Sequence, residues 1–325
     1  MIIARAPLRV SFLGGGTDQP EYLEKYDGAV FSCAITKYVY IAAHENFYGK
    51  LRVAYSEVET VEDSSELKHP LFKAIFQYFN ISKGLEVGSY ADIPSSGTGL
   101  GSSSVFAVCL IKLIGEIKNL NLTNLEIARI AFEIEREVLK DPVGLQDHFA
   151  SAAGGLNVLK FEKNKSVDVK KVNIDSEIKS GVSAHFKLLF TGQTRNAQNL
   201  LKEQVKNIRE QDETVELLHL MKKLVPVGVD YFISKDYENF GKVLTESWEL
   251  KKKLSKNISN PEIDLKMKTL LDNGAWGGKL LGAGAGGFIL MVANPVFWQT
   301  FKKQSTNLSI FDLEIDSSGP SVIQF

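Results

Sequence analysis

Residues 94–104 read PSSGTGLGSSS, and the apolar stretch VFAVCLIKLIGEI follows at once. Glycines at 97, 99 and 101 let the backbone turn tightly and approach a ligand, because no Cβ intervenes. A helix starting there turns its free N–H groups and positive dipole end back on the loop. Ser102, Ser103 and Ser104 add hydroxyls for phosphate oxygens or a metal ion. The pattern reads as a phosphate cradle, with a Gly/Ser-rich surface turn as the plainer alternative. It is not a Walker A loop, which requires a lysine before its final Ser or Thr, and GTGLGS lacks the last glycine of a Rossmann GxGxxG.

Three carboxylates stand where a carboxylate needs a reason. Asp18 closes GGGTD, directly after Gly14, Gly15, Gly16 and Thr17. It is either a turn residue or an acceptor for two sugar hydroxyls at once. Asp147 lies in GLQDHFASAAGG, where the small residues after it permit close packing around a rigid carboxylate. That suits a general base, although an aspartate in such a place is commonly a helix N-cap. His148 beside it reads as a hydrogen-bonded neighbour rather than a catalyst. Glu135 stands out on the helical wheel. Ile127, Ile130, Ala131, Ile134 and Val138 form an apolar side, with Glu126, Glu133 and Glu137 opposite, yet Glu135 falls between Ala128 and Ala131. A carboxylate there is costly unless it is paired, hydrogen-bonded or bound to a metal. A buried ion pair with Arg9 or Lys279 would meet that need, and so would a metal.

The elements that must position these groups follow from periodicity. Ile2, Ala4, Ala6, Leu8, Val10 and Phe12 alternate with Arg5, Arg9 and Ser11, which predicts a half-buried strand. Further strands are expected at 29–44, 51–55, 85–91, 156–161 and 185–191, with a polar loop at 62–69. Thr123 and Glu126 form a capping-box pattern that opens a helix to about Leu139. Helices are expected at 195–211, 213–234, 237–255 and 261–273. The second glycine loop, in KLLGAGAGGF, joins two strands, the later being FILMV. It is a bulged hairpin, or a backbone packed tightly against the first glycine loop or the substrate.

Composition bounds the rest. The chain has 325 residues, 44% hydrophobic and 24% charged, with a formal net charge of −1. This is ordinary globular composition of a length for about two domains, and the expected boundary divides 1–184 from 185–325. The near-zero charge argues against nucleic acid or an anionic membrane as partner. Cys33 and Cys109 sit in apolar surroundings and read as buried small hydrophobes in a reducing compartment. The N-terminus is interrupted by arginines, unlike a signal peptide, and the apolar run near 105–114 is short for a bilayer span. A cytoplasmic protein is expected. A homodimer is compatible with the sequence, which carries no firm signal for one.

RVSFLGGGTD, PSSGTGLGSSS and KLLGAGAGGF, in that order, resemble the three signatures of the GHMP kinases, a family of small-molecule kinases, and the likeness runs over nearly the whole chain. It implies a two-domain α+β fold, with an N-terminal domain like ribosomal protein S5 domain 2 and a ferredoxin-like C-terminal domain. It also implies ATP and Mg²⁺ as cofactors. Within the family, APLRVSFLGGGTDQPEY, ITKYVY, EIERE, GLQDHFASAAGG, FTGQTRNA and ESWELKKKLS resemble kinases of phosphorylated heptoses. The implied reaction is phosphorylation of the anomeric hydroxyl of D-glycero-D-manno-heptose 7-phosphate, for activated heptose and surface polysaccharide synthesis. Another sugar 1-kinase, or a sugar sensor without turnover, is the alternative.

Carried over by position, the resemblance gives Asp147 as catalytic aspartate and Arg9 as the cation beside the transferring phosphate. It gives Pro94, Ser96, Gly97, Gly99, Leu100, Gly101, Ser102, Ser103 and Ser104 to the nucleotide. Ser103 and Glu135 become the metal ligands. The sugar falls to Gly15, Gly16, Thr17, Asp18, Arg195, Gly284 and Gly286. A sugar phosphate needs cationic partners besides, with Arg5, Lys37 and Arg195 as candidates. The chain departs from family patterns in GGGTD, which replaces a galactokinase-type GEHTD and leaves room for a larger sugar. It departs again in LKDPVGLQD, where Pro142 stiffens the segment before Asp147, and in SSS where Ser-Ser-Ala is common.

Overall fold

The alternation that opens the chain forms strand β1 (Ile2–Leu13) in the computed structural model, which describes residues 1–94, 97–194, 197–304 and 309–324. After α1 (Pro20–Leu23) come β2 (Gly28–Glu45), β3 (Leu51–Ala54), β4 (Val58–Val61), α2 (Pro70–Tyr78) and β5 (Leu85–Ala91). The first glycine loop leads into α3 (Ser102–Ile117), then α4 (Asn124–Glu133), a π-helical turn (Ile134–Val138), α5 (Gln146–Ala153), β6 (Leu156–Phe161) and β7 (Val167–Val172). The remainder is α6 (Ser176–His185), β8 (Phe186–Phe190), α7 (Ala197–Glu210), α8 (Asp212–Ile233), α9 (Tyr237–Lys252), α10 (Pro261–Asp272), β9 (Gly277–Leu280), β10 (Phe288–Val292), α11 (Pro295–Gln304), β11 (Ile310–Asp312) and β12 (Ser321–Gln324).

The described strands form two sheets. The first has the order β12-β1-β2-β5-β3-β4, with β6 joined to β2 and β7 to β6. Strand β2 is long enough to hold β1 along most of its length, β6 through Gly28–Cys33 and β5 through Val39–Glu45. Pro7 sits at a register shift between β1 and β2, where a missing N–H breaks no ladder. The second sheet, β11-β8-β10-β9, is antiparallel throughout. Strand β12 returns from the C-terminal end to pair with β1.

An aromatic cluster ties the halves together. Phe12 and Phe31 of the first sheet meet Phe186 of the second, Phe232 of α8 and Phe240 of α9, with neighbouring ring centroids 5.2–6.2 Å apart. All five are fully buried. Such tilted and edge-on pairs add about 0.5–1.5 kcal/mol each beyond their area burial. Cys33 and Cys109 are free thiols in the core, as their surroundings predict.

Three local readings need correction. β1 is half-buried only over its first residues; from Ala6 onward both faces are covered, because α3, α5, α8 and α9 all pack on it. The capping box at Thr123 and Glu126 forms, but the regular helix ends at Glu133 and a wider π turn follows. That turn rotates later residues off the 100° wheel, and Val138, assigned to the apolar side, is 60% exposed. Strand β7 and helix α6 occupy a lysine-rich stretch and its sequel, for which no element is expected from periodicity.

Candidate active site

The two glycine loops are built against each other. Gly97, Gly99 and Gly101 all take left-handed φ, at 67°, 79° and 79°. Thr98 and Leu100 between them are buried, so the chain alternates anchor and turn. A Cβ on Gly99 would lie 2.5 Å from the Leu281 carbonyl oxygen, and one on Gly282 would lie 2.3 Å from the Cα of Gly99. Phe288 N–H donates to the Thr98 carbonyl at 3.0 Å. Of the two readings of KLLGAGAGGF, the close approach to the first loop is the one the geometry supports. Helix α3 begins directly after Gly101, with Ser102 Oγ 3.1 Å from Thr98 Oγ1.

Arg9 braces this loop against Asp147. Its Nε and Nη2 donate to the two Asp147 carboxylate oxygens at 2.8 and 2.7 Å, and its Nη1 donates to the Gly99 carbonyl at 2.7 Å. Such a fork fixes both partners in one plane. Asp147 is the second residue of α5 and makes no N-cap bond; the cap position is Leu145. Gln146 N–H, at the start of α5, donates to Asp18 Oδ2 at 3.1 Å, while Gly16 N–H donates to Asp18 Oδ1 at 2.9 Å. The approach of Asp18 requires glycine at 144, where a Cβ would sit 2.0 Å from Asp18 Oδ2. Burial, and then the nearby charge of Asp147, raise the Asp18 carboxyl above its ordinary range. The two carboxylates thus share one wall of the site.

Glu135 is fully buried and satisfied on both oxygens. Ser103 Oγ donates to Oε1 at 2.7 Å and His148 Nε2 lies 2.5 Å from Oε2. The expected partners Arg9 and Lys279 are not used. Arg9 is committed to Asp147, and Lys279 Nζ donates to the Phe12 carbonyl at 2.8 Å. His148, set aside on sequence grounds, is the partner because the π turn and α5 bring its ring to Glu135. Among the described residues no cluster of three His, Cys, Asp or Glu side chains forms a self-sufficient metal cage. Ser103 Oγ and Glu135 Oε1 are nonetheless adjacent hard oxygen donors in the wall beside the glycine loop. They fit a Mg²⁺ ion that takes its other ligands from phosphate and water.

These groups line one cavity of about 500 Å³. Arg9, Gly15, Gly16, Asp18, Gly97, Gly99, Gly101, Ser102, Ser103, Ser104, Glu135 and Asp147 all reach it. Other sequence assignments lie elsewhere. Thr17 Oγ1 donates to the carbonyls of Gly14 and Ala29 and holds the turn. Leu100 is core and Pro94 is exposed outside the cavity wall. The second glycine loop meets the cavity at Gly282 and Ala283 rather than at Gly284 and Gly286; Gly284 packs on the backbone of Ile258. Ser96 and Arg195 lie outside the described residues. Arg5 bonds Ser321 and stacks on Tyr38, and Lys37 lies over Phe311, so neither lines the cavity.

Sequence reading missed the amine of Lys251 and the α7 residues Gln198, Leu201 and Gln204, all of which line the cavity. A signal for Lys251 existed. It lies three, four and seven residues after Trp248, Ser247 and Leu244, on the buried face of α9.

The model for the GHMP kinases N terminal domain matches residues 67–155, and that for the GHMP kinases C terminal domain matches 229–296. A D-glycero-alpha-D-manno-heptose 7-phosphate kinase of Campylobacter jejuni is 34% identical over 306 residues, 90% of each chain. The chain belongs to the GHMP kinases. As a GHMP kinase it is an ATP-dependent phosphotransferase that acts on an alcohol group. Two solved structures share the whole GHMP fold. A D-glycero-D-manno-heptose 1-phosphate kinase from Bacteroides thetaiotaomicron has a TM-score of 0.82 at 25% identity, covering 100% of this chain and 99% of its own. A putative sugar kinase from Campylobacter jejuni has a TM-score of 0.78 at 30% identity, covering 100% and 98%. In this GHMP kinase no helix among the described residues is long and apolar enough to cross a membrane.

Proposed function

We propose that this GHMP kinase transfers the γ-phosphoryl group of ATP to the anomeric hydroxyl of D-glycero-D-manno-heptose 7-phosphate, giving the 1,7-bisphosphate. The observation that carries the kinase chemistry is the Arg9 fork, which holds the Asp147 carboxylate against the carbonyl of Gly99 in the first glycine loop. One side chain thereby registers the acceptor's proton acceptor with the phosphate donor's loop, and phosphoryl transfer asks chiefly for such positioning. Asp147 receives or orients the hydroxyl proton, and Arg9 offsets charge as the phosphoryl group passes. Asp18 accepts from sugar hydroxyls. The heptose assignment is supported by the likeness to the heptose 7-phosphate kinase.

We assign Mg²⁺ to Ser103 and Glu135. When bound, the ion neutralises and orients the nucleotide's phosphate oxygens. His148 holds the second oxygen of Glu135 and leaves the first free to face Ser103. Replacing Glu135 with glutamine keeps an acceptor for Ser103 but removes the negative charge of the donor pair. The expected result is a folded protein with a raised Mg²⁺ requirement, read by titrating Mg²⁺ in the kinase assay. Loss of the fold with unchanged metal dependence would leave Glu135 as only a buried partner of His148.

The first experiment is a coupled assay of ADP release with heptose 7-phosphate, the unphosphorylated heptose, galactose, fucose and mannose. Turnover confined to the 7-phosphate is expected. One observation favours a second reading, in which the acceptor is an unphosphorylated sugar: neither Arg5 nor Lys37 reaches the cavity. Turnover of a free sugar would replace the first substrate assignment with this one. Nucleotide binding without turnover of any sugar would favour a sugar sensor.

A further inference from the structure

Two amines in the cavity wall have no counter-ion. Lys251 lies near the end of α9, and Lys279 on β9 is buried. Lys251 Nζ donates to the carbonyl of Gly282, and Lys279 Nζ to that of Phe12 at 2.8 Å. Among the described residues, no carboxylate lies within ion-pair distance of either. A carbonyl satisfies one of an ammonium's three donors and none of its charge. An ammonium in a dry wall is expensive without an anion. The cavity's missing partner is therefore an anion that arrives with a ligand.

The position of Lys251 says which anion. Gly282, which accepts its hydrogen bond, is the residue packed on Gly99 of the first glycine loop. The charged groups that act on its amine are Arg9 from β1, Asp147 from α5 and Asp18 from the turn after β1, and its own charge acts on Lys279 of β9. Lys251 thus stands at the junction of the phosphate loop and the two carboxylates of the acceptor side. Arg9 has three of its five donors committed to Asp147 and Gly99. It cannot wrap a phosphoryl group without releasing the base.

We propose that Lys251 is the second cation on the transferring phosphoryl group, reaching it from α9 while Arg9 reaches it from β1. In the transfer, the bond from the γ-phosphorus to the β,γ-bridging oxygen breaks and its electron pair stays on ADP. A bond to the acceptor oxygen forms, and the hydroxyl proton passes to Asp147. Negative charge shifts across the γ-phosphoryl oxygens at the point Lys251 faces. Lys279 lies behind it, where burial and the charges of Lys251 and Arg9 pull its amine well below the usual lysine range and so toward the neutral form. This rests on the kinase reading but on no particular sugar.

Burial and the charge of Arg9 pull the Lys251 amine down to about 8, against the opposing pull of Asp147 and Asp18. Only the protonated amine can serve the phosphoryl group. In the free enzyme kcat/KM therefore falls as pH rises through about 8.

The test compares the unaltered protein with Lys251→Met and Lys251→Arg. Calorimetry reads the affinity for ADP with Mg²⁺, with and without aluminium fluoride as mimic of the phosphoryl group in flight. No sugar is needed, so failure here is separable from failure of the heptose assignment. Lys251→Met is expected to erase most of the affinity that aluminium fluoride adds and to leave ADP alone bound within about threefold. With whichever sugar turns over, its kcat falls about 10²-fold, the usual effect of removing one donor to developing charge. The arginine variant keeps part of both and loses the decline in kcat/KM near pH 8. Three results would overturn the assignment. They are unchanged kcat and fluoride effect in folded Lys251→Met, a rise confined to the KM of a phosphorylated sugar, and a fall in thermal stability alone in both variants.

Discussion

Asp147→Asn lowers kcat by about 10²–10⁴-fold, the range a positioned proton acceptor supplies, with KM for ATP close to its original value. Asparagine preserves volume and one acceptor for Arg9, so the fold survives the change. Asp147→Ala is the harsher variant. It strands the guanidinium of Arg9, which is 3% exposed, beside a glycine carbonyl. Breaking a buried pair by removing one partner is destabilising because the remaining charge is uncompensated. Since the Asp147 side chain is 25% exposed, a cost of about 1–3 kcal/mol is expected rather than the full buried value. Steady-state kinetics on both variants, with a thermal melt of each, separates chemistry from stability. A folded Asp147→Asn whose kcat stays within about threefold of the original would remove Asp147 from the proton-transfer role.

Gly99→Ala raises KM for ATP at least about tenfold and lowers the melting temperature by several degrees. Two effects act at one atom. The backbone at 99 has φ of 79°, which costs an L-residue about 1–2 kcal/mol. The new methyl would also lie 2.5 Å from the Leu281 carbonyl oxygen, and main chain cannot step aside as a flexible side chain can. The loops must part, and with them goes the Gly99 carbonyl that orients Arg9. Nucleotide affinity by calorimetry and a thermal melt read both effects. Unchanged values in both would mean that the loop contact contributes neither to the phosphate site nor to the fold.

The difference between what was legible and what was not follows the range of the interactions. Helices α7 to α10 were readable because each carries its own 3.6-residue apolar period, and the capping box at Thr123 because its partners are three residues apart. The oddity of Glu135 was visible on a helical wheel, yet its partner was not. A π turn displaced the geometry on which the wheel depends, and His148 comes from another helix. The family resemblance gives the second glycine loop to the sugar at Gly284 and Gly286. Its cavity contact falls instead at Gly282 and Ala283, because the hairpin between β9 and β10 sets which residues face the first loop.

Short-range patterns in the amino-acid sequence by themselves determined the two glycine loops, the helix that begins at Ser102, the α+β alternation and the carboxylates Asp18, Glu135 and Asp147. Each of these depends on residue types within a few positions of one another, where backbone sterics and periodicity act. Only the tertiary structure decided who faces whom. It locked Arg9 to Asp147 across 138 residues, set Gly144 beneath Asp18, and placed Lys251 in the cavity without a counter-ion. Among the adjacent lysines 251–253 the residue type is the same. Lys251 lines the cavity and Lys252 and Lys253 do not, a distinction that arises only when distant elements pack against one side of α9.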